Sequence, residues 1–177
     1  MNSVKWFGKL EDRRKNMTNA SDAENLRHTA LLTLYNTCSL LTRYSDRVLN
    51  SGASISYQQF LVLLTIASLK PPVSQTDLAK KIQRELNSVS MIIDRMEASG
   101  LVTRTRSIID RRAVHLKITH AGRKLLGQGV TVNETLINKL TGVLSIKEIE
   151  TVTRLLTKLQ EQIIKELGEE VSNSKKA

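Results

Sequence analysis

Between Ser74 and Thr119 the chain reads SQTDLAKKIQRELNSVSMIIDRMEASGLVTRTRSIIDRRAVHLKIT. This order of signals admits few folds: a short capped helix, a turn, a second short helix closed by a glycine, and two alternating strands around an arginine-rich tip. A helix-turn-helix followed by a β-hairpin satisfies all of them at once, with one helix free to enter a groove of duplex DNA and the hairpin beside it.

Ser74 has the spacing of a helix cap for TDLAKKI, whose Leu78, Ala79 and Ile82 share an inward face. After a turn at Gln83 to Leu86, a second helix over about Asn87 to Ser99 places Val89, Ile92, Ile93 and Met96 toward a core. Its opposite face carries Asn87, Ser88, Ser90, Met91, Asp94 and Arg95, mostly short side chains that allow close approach to base edges. Gly100 then fits a left-handed helix cap, with Leu101 where that motif expects an apolar residue. LVTRTRS and RAVHLKIT alternate as strands, and SIIDRR lies between them, with Ile108 and Ile109 placed to brace the tip.

Charge concentrates in the same place. The 177 residues hold 27 Lys and Arg against 17 Asp and Glu, a formal net charge of +10. Between Leu101 and Lys124 the basic residues are Arg104, Arg106, Arg111, Arg112, Lys117, Arg123 and Lys124, opposed by Asp110 alone. Arginine suits phosphate and the narrow minor groove because its planar fork bonds oxygens in pairs and is weakly hydrated. The partner expected on these grounds is double-stranded DNA.

Four serine caps are spaced for a reciprocal bond three residues on: Ser21 with Glu24, Ser56 with Gln59, Ser74 with Asp77 and Ser145 with Glu148. They make the chain mostly helical. A long first helix is expected over about Ala23 to Asn50, with Leu26, Ala30, Leu34, Cys38, Leu41 and Val48 on one stripe. The second carries Phe60, Leu63, Leu64 and Ala67 and stops at Pro71 and Pro72. A helix opening near Thr119 contains Gly122, Gly127 and Gly129, so packing must stabilise it. The last starts at Ser145 and repeats Ile149, Val152, Leu156, Leu159, Ile163 and Leu167 at near-heptad spacing. The terminal helices carry more apolar stripe than one chain needs, which points to a homodimer rather than a monomeric bundle.

The fold class expected is therefore mainly α with a small β-hairpin wing: a winged helix-turn-helix lobe plus a helical dimerisation region built from the N- and C-terminal helices. A single domain over 21–170 divides into a winged lobe at about 56–119 and dimerisation helices at about 21–51 and 120–168. Residues 1–20 form a basic extension, either a mobile tail or an arm touching DNA, and 171–177 a polar tail.

The segments SQTDLAKKI, DRMEASGLVTR and DRRAVHLKITHAGRKLL resemble the MarR family of bacterial and archaeal transcriptional regulators. The family's D-x-R-x-x-x-L-x-L-T signature is matched by Asp110, Arg112, Leu116 and Thr119, with Ile118 in place of the second leucine. The resemblance runs over roughly Leu31 to Leu167 and is most specific from Ser74 to Leu126. It implies a triangular homodimer whose terminal helices form the base and whose two winged lobes read halves of a palindromic operator. It also implies that Arg112 reaches the minor groove and that Asp110 holds a neighbouring arginine, although Asp110 also suits simple closure of the hairpin turn. Two positions depart from the pattern: Leu86 and Met91 stand where many members carry arginine, so base readout shifts toward Asn87, Ser90 and Arg95. Ser74, Gln75 and Thr76 are expected at phosphates through the amino end of their helix.

No convergent set of titratable groups suggests an enzyme, and His28, His115 and His120 are too scattered for a common metal site, so no cofactor is expected. Cys38, the single cysteine, excludes an intramolecular disulfide and suits a reducing, cytoplasmic setting. It reads either as a small space-filler on the apolar stripe or as an oxidant sensor with Arg43 one turn away. Tyr35, Tyr44 and Tyr57 are candidate contacts for a small-molecule effector, the common mode among regulators of this kind. No apolar run approaches the ~18 residues of a membrane span. The function expected is a ligand-responsive repressor specific for its operator; the alternatives are a non-specific architectural DNA binder and a basic module for membrane surfaces or protein partners.

Overall fold

The computed structural model describes residues 20–106 and 114–174. The tip with Ile108, Ile109, Asp110, Arg111 and Arg112, and the extension up to residue 19, lie outside the described residues. In chain order the elements are α1 (Ala20–Ala53), α2 (Tyr57–Ser68), β1 (Val73–Ser74), α3 (Gln75–Ile82), α4 (Leu86–Ala98), β2 (Val102–Arg106), β3 (Val114–Ile118), α5 (His120–Thr141) and α6 (Ile146–Ser174).

Three of the four serine signals are helix caps. Ser56 accepts from the Gln59 amide while the Gln59 side chain accepts from the Ser56 amide, and Ser74 and Asp77 do the same at α3. At α6 the Ser145 amide donates to Glu148 at 2.8 Å. Ser21 is different: α1 already includes Ala20, so Ser21 stands inside the helix. The α2 helix ends before Lys70, Pro71 and Pro72, where proline supplies no donor.

One strand more than expected is present. β1 pairs antiparallel with β3, Val73 opposite Leu116 and Ser74 opposite His115, giving the sheet order β1-β3-β2. Two residues behind a proline pair are too short to show alternation. The β2–β3 ladder runs from Val102 opposite Ile118 to Arg106 opposite Val114.

The core sits where α2, α3 and α4 meet the sheet and the ends of α1 and α5. Leu49, Ile55, Phe60, Leu63, Leu78, Val89, Ile93, Met96, Val102 and Leu116 are buried there together. Each such large side chain contributes about 1.5–3 kcal/mol through removal from water. On α2 the inward face differs in part from the expected one: Val62 and Ile66 join Phe60 and Leu63, while Leu64 is exposed.

Only the last third of α1 enters this core, through Leu49 and Ala53. Upstream, Leu26, Leu31, Leu32, Tyr35, Leu40 and Leu41 face solvent in the single chain. So does the α6 stripe of Val152, Leu155, Leu156, Leu159, Ile163, Ile164 and Leu167. A polar contact, Gln160 Nε2 to Gln83 Oε1 at 3.4 Å, links α6 to the turn after α3. Two long amphipathic helices thus leave their apolar faces bare in the single chain.

Candidate nucleic-acid interface

The α3–α4 unit is short, so its geometry depends on its ends. Gln83 closes α3 in the left-handed region, φ 54° and ψ 51°, with its amide on Ala79 and Lys80 carbonyls. Glu85 starts α4 without a side-chain cap. Along α4 the sequence reading of its two faces holds: Val89, Ile92, Ile93 and Met96 are buried. Asn87, Ser88, Met91, Asp94 and Arg95 are exposed, and Ser90 is half-buried. Met91 is 63% exposed and Leu86 also faces solvent, which leaves two apolar side chains on an otherwise polar reading surface. Arg95 is folded back, its Nε on the Met91 carbonyl at 3.2 Å.

Gly100 adopts φ 68°, turning the chain from α4 into β2. The far end of the hairpin is fastened by Thr119, whose hydroxyl donates to the Gly100 carbonyl at 2.7 Å and accepts from the Gly122 amide at 3.0 Å. Thr119 thereby caps α5 and ties the wing to the end of α4. Arg123 donates to the Ile118 carbonyl at 2.7 Å across the same junction.

The proposed phosphate-facing residues sit at one corner of the lobe, Thr76 exposed and Ser74 and Gln75 half-buried. Asp77 lies with them, its carboxyl held below the ordinary value by the Ser74 hydroxyl and then the Ser74 amide.

Arg104 behaves differently from a free basic residue. Its Nη2 is 2.6 Å from Asp94 Oδ1 and its Nη1 2.7 Å from Glu97 Oε2. The Arg104 amide donates to the other Glu97 oxygen at 2.9 Å. With the Gln75 amide oriented to satisfy both groups, Gln75 Oε1 accepts from Nη2 at 2.8 Å and Nε at 2.9 Å. The Glu97 carboxyl is held below its ordinary value by the Arg104 amide first and its guanidinium second. For Arg104, burial opposes the charge, and the hydrogen bonds it donates to Glu97 and Asp94, with the attraction of both carboxylates, outweigh burial and raise its pKa. The sequence signal for this cluster was present in the acidic pair three residues apart on α4, but composition grouped Arg104 with the hairpin cations.

The other expectations separate. Arg106 ends β2 opposite Val114. Tyr35 is 65% exposed, whereas Tyr57 packs on the core and its amide donates to Asp46 at 2.7 Å. A shallow, open depression between the α2–β1 connection and α3 is lined by Leu69, Lys70, Val73, Asp77, Lys80 and Lys81, without any of the three tyrosines. Cys38 is exposed, not a buried space-filler in the single chain, because the part of α1 that carries it lies beyond the core. Among the described residues no group of three His, Cys, Asp or Glu is placed to hold a metal ion, and no helix is long and apolar enough to cross a membrane.

Two helices joined by a tight turn, the second with an open polar face, and an antiparallel hairpin stitched behind it define a winged helix-turn-helix protein. The MarR family model matches residues 55–114, the segment from the start of α2 to the start of β3. That segment is thus similar to the MarR family. A cysteine-to-serine variant of Escherichia coli MarR, solved with operator DNA, is 27% identical with a TM-score of 0.62, over 73% of this chain and 95% of that one. The Staphylococcus aureus MepR–DNA complex is 24% identical with a TM-score of 0.65, over 73% and 94% of the two chains. The organohalide-sensing regulator RdhR-CbdbA1625, in its ligand-free form, shares the fold with a TM-score of 0.73 at 22% identity, over 84% and 88%.

Proposed function

We propose that this chain is a DNA-binding transcriptional regulator, acting as a homodimer on a palindromic operator. The observation that carries the reading is α4, a helix whose apolar face is fully committed to the core and whose polar face is left open beside the wing. Asn87, Ser88, Ser90, Met91 and Arg95 meet base edges in the major groove. Ser74, Gln75 and Thr76 meet phosphates, and the wing arginines Arg106, Arg111 and Arg112 flank them, with Asp110 orienting a neighbour. The likeness to E. coli MarR, solved on operator DNA, supports the same docking.

The domain spans 21–170, its terminal helices pairing with those of the second copy. A small-molecule effector near Tyr35, Tyr44 and Tyr57 lowers operator affinity by changing the separation of the lobes, which makes the protein a ligand-responsive repressor.

The test is a gel-shift salt series on duplexes selected from a random library. Preference for the selected duplex over random DNA by about a thousandfold supports a regulator, and equal affinity supports an architectural binder. Arg112→Ala is expected to weaken binding and reduce the slope of log K against log salt by about one; an unchanged slope removes Arg112 from the phosphate and groove contacts.

A further inference from the structure

We propose that Arg104 is a positioning residue, an internal clamp that sets the angle between the recognition helix and the wing and does not itself touch DNA. This rests on the DNA-binding reading above and assigns one of its basic residues a different task. Three elements converge on one guanidinium: Gln75 from the start of α3, Asp94 and Glu97 from α4, and β2 itself, which carries Arg104. A longer approach to the Ser90 carbonyl, 3.5 Å from Nη2, brings the middle of α4 into the same cluster.

Four of the five N–H donors of Arg104 have an acceptor inside the protein. A guanidinium has five N–H groups. Here Nε faces Gln75, Nη1 faces Glu97, and Nη2 faces Gln75 and Asp94. The side chain is 23% exposed, against 61% for Asp94, so the cation is the shielded member of the pair. To reach a phosphate, it has to abandon two carboxylates and an amide. Glu97 in turn uses both oxygens on one residue, the second on the Arg104 backbone amide. That bond occupies a donor on β2, whose other neighbour in the sheet is β3 alone.

The geometry is specific to arginine. Lysine keeps the charge but presents a compact ammonium that cannot span three acceptors lying in different directions around a planar fork. Charge and shape therefore separate experimentally. Glu97 provides a second separation, because Glu97→Gln removes a negative charge near the DNA-facing surface. Simple electrostatics makes that variant bind DNA more tightly, whereas loss of the clamp makes it bind its selected site more weakly.

The experiment measures binding of the full chain to a selected duplex and to random duplex over a salt series, for wild type, Arg104→Lys, Arg104→Gln, Glu97→Gln and the double variant Glu97→Gln/Arg104→Gln. Amide hydrogen exchange over α4 and β2 is recorded for each. Expected is a loss of about tenfold in preference for the selected duplex, the size of one mismatched base pair, in all three single variants. The salt slope stays at the wild-type value, exchange in β2 rises, and the double variant is no worse than either single one. Full affinity in Arg104→Lys, or a slope lowered by about one in Arg104→Gln with exchange unchanged, makes Arg104 a phosphate contact and overturns the clamp. If wild type shows no duplex preference, the functional reading fails, while faster β2 exchange and non-additive stability in the double variant still report the clamp as a structural tie. Unchanged exchange and additive effects remove that as well.

Discussion

At Gly122 an added Cβ would collide with the Leu101 carbonyl oxygen, a backbone atom that cannot swing away. That carbonyl already accepts the Thr119 amide at 3.1 Å, so the first turn of α5 presses directly onto the end of the wing. Gly122→Ala is expected to destabilise the protein by about 1–3 kcal/mol, the usual cost of overpacking, read as a lower urea midpoint at constant m. Gly127→Ala is the control: nothing lies within 4 Å of its added Cβ, and the helix gains propensity. Equal losses at both positions would show that the junction is looser than described. On the proposed docking, the exposed Met91 and Leu86 put apolar groups where a cation would bring affinity without discrimination, so sequence preference rests on the short polar residues around them.

At the scale of elements, capping does much to fix where helices begin. Ser74 is both the last residue of β1 and the cap of α3, and its hydroxyl holds the Asp77 carboxyl below its ordinary value. A depressed carboxyl contributes stability in full above its unfolded value and loses it as the pH falls through the folded one. The stability gap between wild type and Ser74→Ala is therefore expected to be about 1 kcal/mol near neutrality and to shrink on acidification below the ordinary aspartate value of 3.8. A gap that stays constant down to pH ~2.5 would exclude the charge-assisted cap.

Much at this scale was legible in the residues. The α4 faces follow from 3.6-residue periodicity, and three serine caps follow from a local spacing rule that tertiary packing has no reason to override. What was not legible is non-local. β1 is two residues long and exists because β3 offers an edge, and α1 extends past its expected limits to Ala20 and, through Gly52 packed close on Val132 of α5, to Ala53. The partners of Arg104 come from elements up to 29 positions away, a pairing that no periodicity records.

Across the whole molecule, the apolar stripes of α1 and α6 face solvent in the single chain, more than a stable monomer leaves uncovered. With a second copy covering them, unfolding becomes concentration-dependent, and the melting temperature is expected to rise with protein concentration. Leu156→Asp combined with Ile163→Asp is expected to give a species that sediments as a monomer, melts independently of concentration and binds only single half-sites. Dimeric sedimentation of that variant would move the interface elsewhere.

The junction at Thr119 and Gly122 gives α5 a further property. Its 22 residues form one unbroken rod of about 33 Å that is pinned to the wing at one end and runs beside α1 toward the other. Gly52 of α1 presses on Val132 and Gly129 of α5 on Phe60, so the rod is gripped along its length as well as at its root. A stiff lever with a tight fulcrum converts angle into distance: five degrees of tilt carries the far end on the order of 3 Å. On the proposed dimeric reading, a displacement of a few ångströms at the far end of that rod therefore answers to only a few degrees of change at the wing junction.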